Sequence, residues 1–520
     1  MDEGAIDLTE LPERIHHLVD RWAAKTPDAS ALIDHDGRTL NYTALRDGVS
    51  AMAAALADAG VRGGDRILIV NENSAVAVAV LFAASRLDAW AVLVNARLAP
   101  IEIERICQHS QPRAIVFTHT VSQEAASHAD RYHAGVSVTT IAGPVRIVAE
   151  LPATTEPVKS SGAFQVAAMI YTSGTTGNPK GVMLTHRNLL FTASVSGRLR
   201  RIGRSDHVIQ LVPIAHAFGL ASVLLSTINA GARITLIPRF DAARLADSLQ
   251  SGITFLQGVP AMYAKLLEHL ESTGRRLRAS DLRYISAGGS PLDIDWKRSI
   301  ERYFGLPLNN GYGLTEFSSN VAITRVDSPR DDDSIGLPLP GVDVRFVGAD
   351  GMDVPDGQIG ESWIRGPNLM QGYYRDDLAT RAAVVGDGWF RTGDLGRRDK
   401  DGYLFIVGRL KELIIRSGFN VYPAEVETAL NAHPDVVQCA VIGRKADGNE
   451  EVIAFVEAKA GSCLQATTLR DHARERLAAY KRPQHIFIVD RIPAGPTGKI
   501  LKATLAPLAE HLIAGEKSVG

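Results

Sequence analysis

The stretch that most constrains this chain runs from Tyr171 to Val182 and has the sequence YTSGTTGNPKGV. An apolar run that starts at Val166 precedes it and predicts a buried strand ending in this loop. The loop contains three glycines, four hydroxyl residues and Lys180. Glycines allow several backbone N–H groups to approach one anion, and hydroxyl groups add neutral hydrogen-bond donors. The flexible ammonium group of a lysine can interact with a polyphosphate as a point charge. The stretch therefore predicts a site for the phosphates of a nucleotide.

This loop differs from the P-loop, which needs four residues between its first glycine and a Gly-Lys-Ser/Thr sequence. A solvated Gly/Ser/Thr loop is the alternative, but the length and order of the stretch argue against it. The stretch closely resembles the phosphate-binding signature of the adenylate-forming superfamily, which includes acyl-CoA synthetases, peptide-synthetase adenylation domains and beetle luciferases. The resemblance implies that the β- and γ-phosphates of ATP are held by Thr172, Ser173, Gly174, Thr175, Thr176, Gly177 and Lys180.

Length and composition limit the fold class and the partners. A chain of 520 residues is too long for one hydrophobic core, so several domains are expected. Its net charge of −2 gives no indication of a nucleic-acid partner. The longest apolar run, Ala75 to Ala84, is too short to span a bilayer and predicts a buried helix. The three cysteines lie far apart, and Asp2 and Glu3 do not fit a signal peptide. We therefore expect a soluble cytoplasmic protein without integral membrane association.

Helical and strand patterns alternate over most of the chain, which is typical of α/β units with mostly parallel sheets. A first unit is predicted from Leu11 to Thr118 and a second from Ile234 to Ser290. Residues 119–162 are predicted to form an irregular connection, and Asp-Gly turns after residue 349 predict a β-rich part. The predicted strands are 66–70, 89–95, 113–117, 234–237, 255–258 and 284–286.

Two segments, 211–219 and 287–292, are candidates for an acyl pocket. The segment 211–219 places His216 in an apolar setting, where a histidine is more often a satisfied core residue than a catalyst. The segment 287–292 follows a predicted strand, where open α/β sheets place ligands, although a simple turn also explains its glycines. Both resemble superfamily segments. The resemblance implies that His216, a candidate catalytic residue, lines the acyl pocket, and that the nucleotide and acyl chain pass Gly288, Gly289 and Ser290.

The sequence NGYGLTE, residues 310–316, is predicted to be a glycine-loosened turn. It offers an aromatic face, a hydroxyl and a carboxylate, which suit a base, a phosphate and Mg²⁺ in that order. Gly-Tyr-Gly turns are common, but this one follows the Gly-Gly segment in superfamily order. The resemblance implies that Tyr312 stacks on adenine and that Glu316 holds Mg²⁺. The other implied nucleotide contacts are Asn310, Gly311, Gly313 and Thr315.

The sequences WFRTGD, ending at Asp394, and GRLKELIIRSGFN, starting at Gly408, complete the candidate nucleotide site. A fixed Asp suits the two hydroxyls of a ribose, and an exposed turn residue is the alternative. The second sequence resembles the superfamily hinge and the start of its small C-terminal domain. The resemblance implies that Asp394 and Arg409 hold the ribose and that Lys411 is the hinge. It further implies that CoA contacts Ser417, Gly418 and Phe419.

A lysine near the C-terminus, Lys499, lies in the Pro/Gly-rich sequence PAGPTGKI. A surface lysine without a role is the usual interpretation of a single loop lysine. In this pattern, however, Lys499 matches the catalytic lysine of the superfamily. The resemblance implies that it bridges the reacting carboxylate and the α-phosphate.

The resemblance covers essentially the whole chain, with every signature in order. It implies a multidomain α/β fold: a large N-terminal AMP-binding domain, residues 1–408, of α/β subdomains plus a β-rich subdomain, and a small α+β C-terminal domain, residues 409–520, that acts as a mobile lid. It implies an ATP- and Mg²⁺-dependent ligase that forms an acyl-adenylate and then an acyl-CoA thioester. The acid is expected to be an aromatic, hydroxycinnamate-like acid or a medium- or long-chain fatty monocarboxylic acid.

Three other functions remain open at this point. A stand-alone adenylation enzyme would load a carrier protein instead of CoA, although the chain contains no carrier or condensation domain of its own. A luciferase-like oxygenase would use the same scaffold. A non-catalytic nucleotide-binding protein is disfavoured because every expected polar position is filled. The sequence leaves the oligomeric state open, a homodimer included.

Overall fold

The N-terminal part of the chain contains an eight-stranded and a nine-stranded sheet, because short apolar strands alternate with helices along it. The structure is a computed structural model that describes residues 6–172, 179–290, 292–417, 419–446, 449–459, 461–494 and 500–518. The strands up to residue 258 are β1 (Ser30–Ile33), β2 (Thr39–Asn41), β3 (Arg66–Asn71), β4 (Trp90–Asn95), β5 (Ala114–Phe117), β6 (Val136–Thr140), β7 (Gly143–Val148), β8 (Val166–Thr172), β9 (Lys180–Thr185), β10 (His207–Gln210), β11 (Arg233–Leu236) and β12 (Phe255–Gly258).

The remaining strands and the helices follow the same order along the chain. The strands after residue 280 are β13 (Tyr284–Gly288), β14 (Leu308–Leu314), β15 (Ser319–Ile323), β16 (Leu337–Pro338), β17 (Asp343–Val347), β18 (Gly360–Arg365), β19 (Gly372–Tyr373), β20 (Val384–Val385), β21 (Trp389–Arg398), β22 (Leu404–Arg409), β23 (Ile414–Arg416), β24 (Phe419–Val421), β25 (Val436–Ala446), β26 (Asn449–Ala458) and β27 (His485–Val489). The α-helices are α1 (His17–Lys25), α2 (Tyr42–Asp58), α3 (Ala75–Arg86), α4 (Pro100–Ser110), α5 (Gln123–Arg131), α6 (His186–Leu199), α7 (Ser226–Ala230), α8 (Ala242–Leu249), α9 (Pro260–Ser272), α10 (Ile294–Phe304), α11 (Asp377–Ala383), α12 (Pro423–Asn431), α13 (Ala466–Arg476) and α14 (Leu505–Ser518).

The eight-stranded sheet has the strand order β19-β9-β8-β4-β3-β5-β7-β6, and its four central strands are parallel. Helix α3 packs into the main hydrophobic core, and all of its residues from Ala75 to Ser85 are buried. The predicted buried helix is therefore confirmed. Helix α6 begins after its N-cap Thr185, whose hydroxyl accepts the backbone N–H of Asn188.

The nine-stranded sheet has the order β16-β15-β14-β13-β12-β10-β11-β1-β2, with six parallel strands from β14 to β1. Its last two strands come from the start of the chain, within the region predicted as the first α/β unit. Strand β1 pairs in parallel with β11, about two hundred residues later in the sequence. The two units are therefore joined by a shared sheet and a shared core.

The prediction of an irregular connection over residues 119–162 is wrong. This region contains α5 and the antiparallel hairpin β6–β7, whose second strand pairs with β5 at the edge of the eight-stranded sheet. The strand β6 is largely exposed and has the mixed sequence VSVTT. The strand β6 lies at the edge of the sheet and is stabilised by its pairing with β7. It therefore does not need the apolar run that is typical of a buried strand.

The β-rich part forms a five-stranded antiparallel sheet of β17, β18, β20, β21 and β22. A smaller C-terminal domain follows, with a hairpin, a three-stranded sheet and helices α12–α14 around two hydrophobic cores of its own. The predicted fold class is confirmed. The exact boundary at residues 408 and 409 remains a prediction. Within the described part of the chain, no helix is both long and apolar enough to cross a bilayer.

Two glycines with similar backbone angles allow a stability prediction. Gly336 has φ +89° and a Cβ there would lie 2.0 Å from the carbonyl carbon of Ile323, whereas Gly37 has φ +85° and nothing within 4 Å. Both alanine substitutions carry the strain of a left-handed residue, about 1–2 kcal/mol. Gly336→Ala also forces two backbone segments apart, which adds about 1–3 kcal/mol. We expect calorimetry to show a clearly larger fall in melting temperature for Gly336→Ala than for Gly37→Ala. Equal falls would contradict the close approach.

Candidate active site

The predicted phosphate loop connects two antiparallel strands of the eight-stranded sheet. Strands β8 and β9 form a hairpin in which Thr172 lies opposite Lys180. Both side chains are half-buried at the base of the loop. The predicted loop residues Ser173, Gly174, Thr175, Thr176 and Gly177 lie outside the described residues.

Tyr373 connects the loop to the predicted metal ligand. Strand β19 pairs with β9, which brings Tyr373 opposite Val182. The Nζ atom of Lys180 lies 4.8 Å from the centre of the Tyr373 ring, and the Tyr373 hydroxyl donates to Oε1 of Glu316 at 2.8 Å. Burial and the negative charge of Glu316 raise the pKa of Tyr373, so its hydroxyl stays a proton donor. Tyr373 is not among the residues predicted from the sequence, because an edge strand of two residues has no periodic signal.

A second cluster joins three distant parts of the chain at the buried carboxylate of Asp394, which is 4% exposed. Asp394 and Arg409 face each other across β21 and β22, with Nε of Arg409 3.0 Å from the carboxylate. The hydroxyl of Tyr312 donates to the other carboxylate oxygen. Burial, followed by the nearby Asp394 charge, raises the pKa of Tyr312 well above its ordinary value. Three predicted nucleotide residues are therefore in direct contact.

The predicted turn at residues 310–316 is wrong, because Leu308–Leu314 is a strand and only Thr315–Phe317 forms a 3-10 turn. The amide of Asn310 donates to the carbonyl of Ser334 at 3.0 Å, and its Oδ1 accepts the Gly311 N–H at 2.9 Å. A Cβ on Gly313 would lie 1.3 Å from the Ser319 carbonyl oxygen, so only glycine fits the antiparallel pairing there. These contacts determine how the strand presents Tyr312.

The segment that carries His216 is fixed by a side chain from the other sheet. Asn73 follows β3 in the eight-stranded sheet and is 1% exposed. Its Oδ1 accepts the N–H of Ile214 at 2.9 Å. Its Nδ2 lies within 3.3 Å of the carbonyl oxygens of Gln210, Val212 and Ile237. Asn73 is not among the residues predicted from the sequence, because an Asn after a buried strand is also an ordinary turn residue.

The segment that carries His216 and the Gly288 segment approach each other through Phe218, at the carboxyl ends of β10 and β13. His216 is half-buried, and its Nδ1 accepts the N–H of Phe218 at 3.2 Å. Phe218 begins a π-helix, Phe218–Leu225, and a Cβ placed on Gly288 would lie 3.9 Å from its ring. Gly289, with φ +80°, and Ser290 are exposed just beyond the strand. Glycine at 288 therefore leaves room beside the Phe218 ring.

The predicted hinge and CoA residues lie at the start of the C-terminal domain. Lys411 is exposed in a 3-10 turn, Leu410–Glu412, directly after Arg409. Ser417 has φ +51°, and its N–H donates to Oδ1 of Asn449 at 2.7 Å. The ring of Phe419 is half-exposed and stacks on Tyr480 at 4.7 Å. The predicted residues Gly418 and Lys499 lie outside the described residues.

The donor set around Glu316 fits a magnesium ion that binds with its nucleotide. Within the described residues, no three His, Cys, Asp or Glu side chains come together as a metal site. Magnesium in nucleotide sites commonly takes one or two carboxylates and completes its octahedron with phosphates and water. The carboxylate of Glu316, oriented by Tyr373, supplies such a hard oxygen beside the loop strand.

Known proteins with similar sequences carry the same domain organisation. Residues 19–374 match the family described as AMP-binding enzyme, and residues 425–499 match its C-terminal domain. A feruloyl-CoA synthase of Amycolatopsis sp is 35% identical, with 93% of this chain and 96% of the synthase covered. A sulfoacetate–CoA ligase of Cupriavidus necator is 32% identical, with 95% of this chain and 98% of the ligase covered.

A solved structure shows the same architecture. The anthranilate CoA ligase AuaEII in complex with anthranoyl-AMP superimposes with a TM-score of 0.83 at 25% identity, and the match covers 97% of this chain and 100% of that ligase. These relatives are AMP-forming acid–thiol ligases, as the predicted enzyme class requires. The chain belongs to the AMP-binding enzyme family, within the adenylate-forming superfamily of the acyl-CoA synthetases.

Proposed function

We propose that this protein is an ATP-dependent carboxylic acid–CoA ligase that acts on an aromatic monocarboxylic acid through an acyl-adenylate. The observation that carries the proposal is the contact of Tyr312 and Arg409 with the buried carboxylate of Asp394. These residues come from separate signatures and meet in one cluster, which offers an aromatic ring and charged groups for the stacking and ribose contacts that an adenosine needs. A small carboxylic acid and CoA are the proposed co-substrates, and the cytoplasm, which holds both ATP and CoA, is the proposed location.

In the first half-reaction the acid carboxylate attacks the α-phosphate of ATP, and pyrophosphate leaves. Such a transfer depends on positioning and charge neutralisation more than on covalent help from the protein. Lys499 would contact the reacting oxygens, and Mg²⁺ on Glu316 would offset charge on the phosphates. Tyr312 would stack on adenine. The other proposed nucleotide contacts are residues 172–177, Lys180, the 288–290 segment, residues 310–315, Asp394 and Arg409.

In the second half-reaction the thiol of CoA attacks the acyl carbonyl, and AMP leaves. We propose that before this attack the C-terminal domain, taken as residues 409–520, turns as a lid about Lys411, withdraws Lys499 and opens a channel for the thiol. Among the described residues, the ion pairs of this domain stay within 409–518 except for that of Arg409 with Asp394. A domain so loosely tied to the rest of the chain can rotate at low cost. Ser417, Gly418 and Phe419 would then meet CoA, and a homodimer is compatible with this scheme.

The acid is proposed to be aromatic and to carry one carboxylate. Feruloyl and anthranoyl groups, which the relatives' names give, are aromatic. Neither 211–219 nor 286–292 contains Arg or Lys. Arg283 is held by Asp206 through two hydrogen bonds of 2.9 and 2.7 Å at the opposite, N-terminal ends of β10 and β13. Arg239 is paired with Glu72 and Glu124. Among the described residues, neither Arg283 nor Arg239 is therefore free to pair with a second carboxylate.

One assay tests the proposal. Pyrophosphate release and thioester formation are measured with a panel of aromatic, fatty and dicarboxylic acids, and with CoA or a carrier protein as acceptor. Acid-dependent pyrophosphate release followed by acyl-CoA supports the ligase. Transfer to a carrier protein alone supports the adenylation alternative, and ATP binding without pyrophosphate release supports a non-catalytic protein.

Lys499→Ala should reduce adenylate formation by at least about a hundredfold, which corresponds to about 2.7 kcal/mol, because the lysine would act on charge that develops at the α-phosphate. Thioester formation from supplied acyl-adenylate should stay within about twofold of wild type, since that charge is absent there. Single-turnover rates of the two halves measure this. The exposed Lys459 of the same domain gives a control, Lys459→Ala. Equal loss in both halves would contradict a lysine that serves one half only.

Lys411→Pro should have the opposite effect and slow the thioester half at least about tenfold more than the adenylate half. Proline fixes φ near −65° and restricts the preceding residue, whereas a hinge needs both angles to change. Lys411→Ala removes the side chain and keeps the freedom of the backbone, so it should retain both rates. Wild-type rates for Lys411→Pro in both halves would show that the hinge lies elsewhere.

Monocarboxylic acids should be preferred over malonate, methylmalonate and succinate by at least about a hundredfold in kcat/KM, or about 2.7 kcal/mol. Burying an unpaired carboxylate costs several kcal/mol, whereas a buried methylene gains about 0.8 kcal/mol. Sulfoacetate, which the name of one relative gives, also carries a second anionic group, so the outcome is a stringent test. Values of kcat/KM for matched mono- and dicarboxylic acids decide it. Parity of succinate with the best monocarboxylate would refute the uncharged pocket.

A further inference from the structure

Four polar side chains lie side by side across the nine-stranded sheet. The register pairs Gln210 with Gln257, Gln257 with Ser286, and Ser286 with Asn309 on the adjacent parallel strands β10, β12, β13 and β14. Residues in register on neighbouring strands project to the same face. All four are buried, and none is more than 6% exposed. We call these four residues the polar row.

The middle of the polar row lacks hydrogen-bond partners. Among the described residues, no partner reaches Oε1 of Gln210, either side-chain polar atom of Gln257, or Oγ of Ser286. Asn309, at the end of the row, is satisfied, because its Nδ2 donates to the Ile285 carbonyl at 3.1 Å and its Oδ1 accepts from Thr324 at 3.3 Å. Unpaired polar atoms in a protein interior are costly and are seldom retained without a partner. The unpaired atoms of Gln257 and Ser286 therefore indicate a missing polar partner.

The polar row faces the candidate acyl pocket. The Nε2 of Gln210 donates to the carbonyl of Gly219 in the π-helix at 3.2 Å, which shows that the row projects toward this helix. Gly288, two residues beyond Ser286 on the same face, lies beside the Phe218 ring of that helix. Two residues of strand span about 7 Å, so the row lies about 7 Å deeper than the glycine. That depth is comparable to the length of a benzene ring together with one substituent.

Aromatic rings close the face one level below the polar row. Phe255 and Tyr284 precede Gln257 and Ser286 by two residues on the same strands, and their rings stack with centres 4.9 Å apart. Both rings are buried in the main hydrophobic core. The polar row therefore lies between the glycine at the strand end and this pair of rings, at the depth that the far end of an acid would reach.

We propose that the polar row binds the distal end of the acid, and that Gln257 and Ser286 select acids with a neutral hydrogen-bonding substituent, such as a hydroxyl, remote from the reacting carboxylate. This inference rests on the proposed ligase function. A hydroxyl can donate to Oε1 of Gln257 and accept from its Nε2 or from Ser286, so it satisfies both atom types. A methyl group of similar size would leave these atoms unpaired, and a carboxylate would meet no charged group within the four residues of the polar row.

Matched pairs of acids test the inference by acid-dependent ATP–pyrophosphate exchange. The pairs are 4-hydroxycinnamate with 4-methylcinnamate, and 6-hydroxyhexanoate with heptanoate, which differ only in a hydroxyl or a methyl group at the distal end. For the better pair, wild type should favour the hydroxyl acid by at least about tenfold in kcat/KM. Gln257→Met keeps the length of the side chain and removes its polar atoms, so the ratio should fall to about one. The kcat/KM of the methyl acid should be retained or rise, which a misfolded variant cannot produce.

Two serine variants provide the second measurement and its control. Ser286→Ala removes one hydroxyl of the polar row and should lower the ratio at least threefold. Ser30→Ala removes another hydroxyl without a partner, on β1 of the same sheet and four strands from β13, and should leave the ratio unchanged. A wild-type ratio near one, or a ratio that neither Gln257→Met nor Ser286→Ala changes, would overturn the inference and assign the row to buried water. Absence of exchange with every acid would refute the proposed function instead.

Discussion

The buried carboxylate of Asp394 is the contact on which the candidate nucleotide site depends. It lies on the five-stranded sheet, receives the hydroxyl of Tyr312 from the nine-stranded sheet, and pairs with Arg409 at the entry to the C-terminal domain. A carboxylate that is 4% exposed needs these partners, because an unpaired charge at that depth is strongly destabilising. The same contact therefore orients an aromatic ring and ties the entry of the C-terminal domain to the catalytic face of the larger one.

The acyl side of the site is organised by contacts between the two α/β sheets. Asn73 reaches from the eight-stranded sheet to hold the backbone around Ile214, and the π-helix that follows covers one face of the nine-stranded sheet. Gly288 keeps the space beside Phe218 open at the strand end. Below it the polar row supplies hydrogen-bonding atoms without partners. The proposed acyl pocket would therefore have small residues at its mouth and polar residues at depth, and it would discriminate by the far end of its substrate.

In the proposed acyl pocket, electrostatics and hydrogen bonding both favour an acid whose distal end is neutral and polar. Two arginines of this part of the chain are paired with carboxylates: Arg283 with Asp206, and Arg239 with Glu72 and Glu124. A neutral polar substituent is then the group that the pocket can satisfy without burying an unpaired charge. The proposed preference for monocarboxylic acids and the proposed preference for a distal hydroxyl follow from this common property, although they depend on different residues.

The sequence by itself determined the family, the fold class and the order of the signatures. The buried parallel strands depend on residues close together in the chain, so local composition and period identify them, and the phosphate loop and the hinge are predicted from equally local sequence. It failed where stability comes from distant partners. The strand β6 lacks an apolar run, because its pairing with β7 at the edge of the sheet stabilises it. Residues 310–314 form a strand, because pairing with β13 and β15 overrides the turn preference of two glycines.

Only the tertiary structure decided which distant residues meet. Tyr373 reaches Glu316, and Asn73 reaches the His216 segment, through strand pairings and sheet contacts that no local pattern records. The polar row exists only in the register of four strands, since Gln210, Gln257 and Ser286 are isolated polar residues in the sequence. Register is set by the whole sheet and its two packed faces, and for that physical reason the specificity of the pocket is a property of the fold.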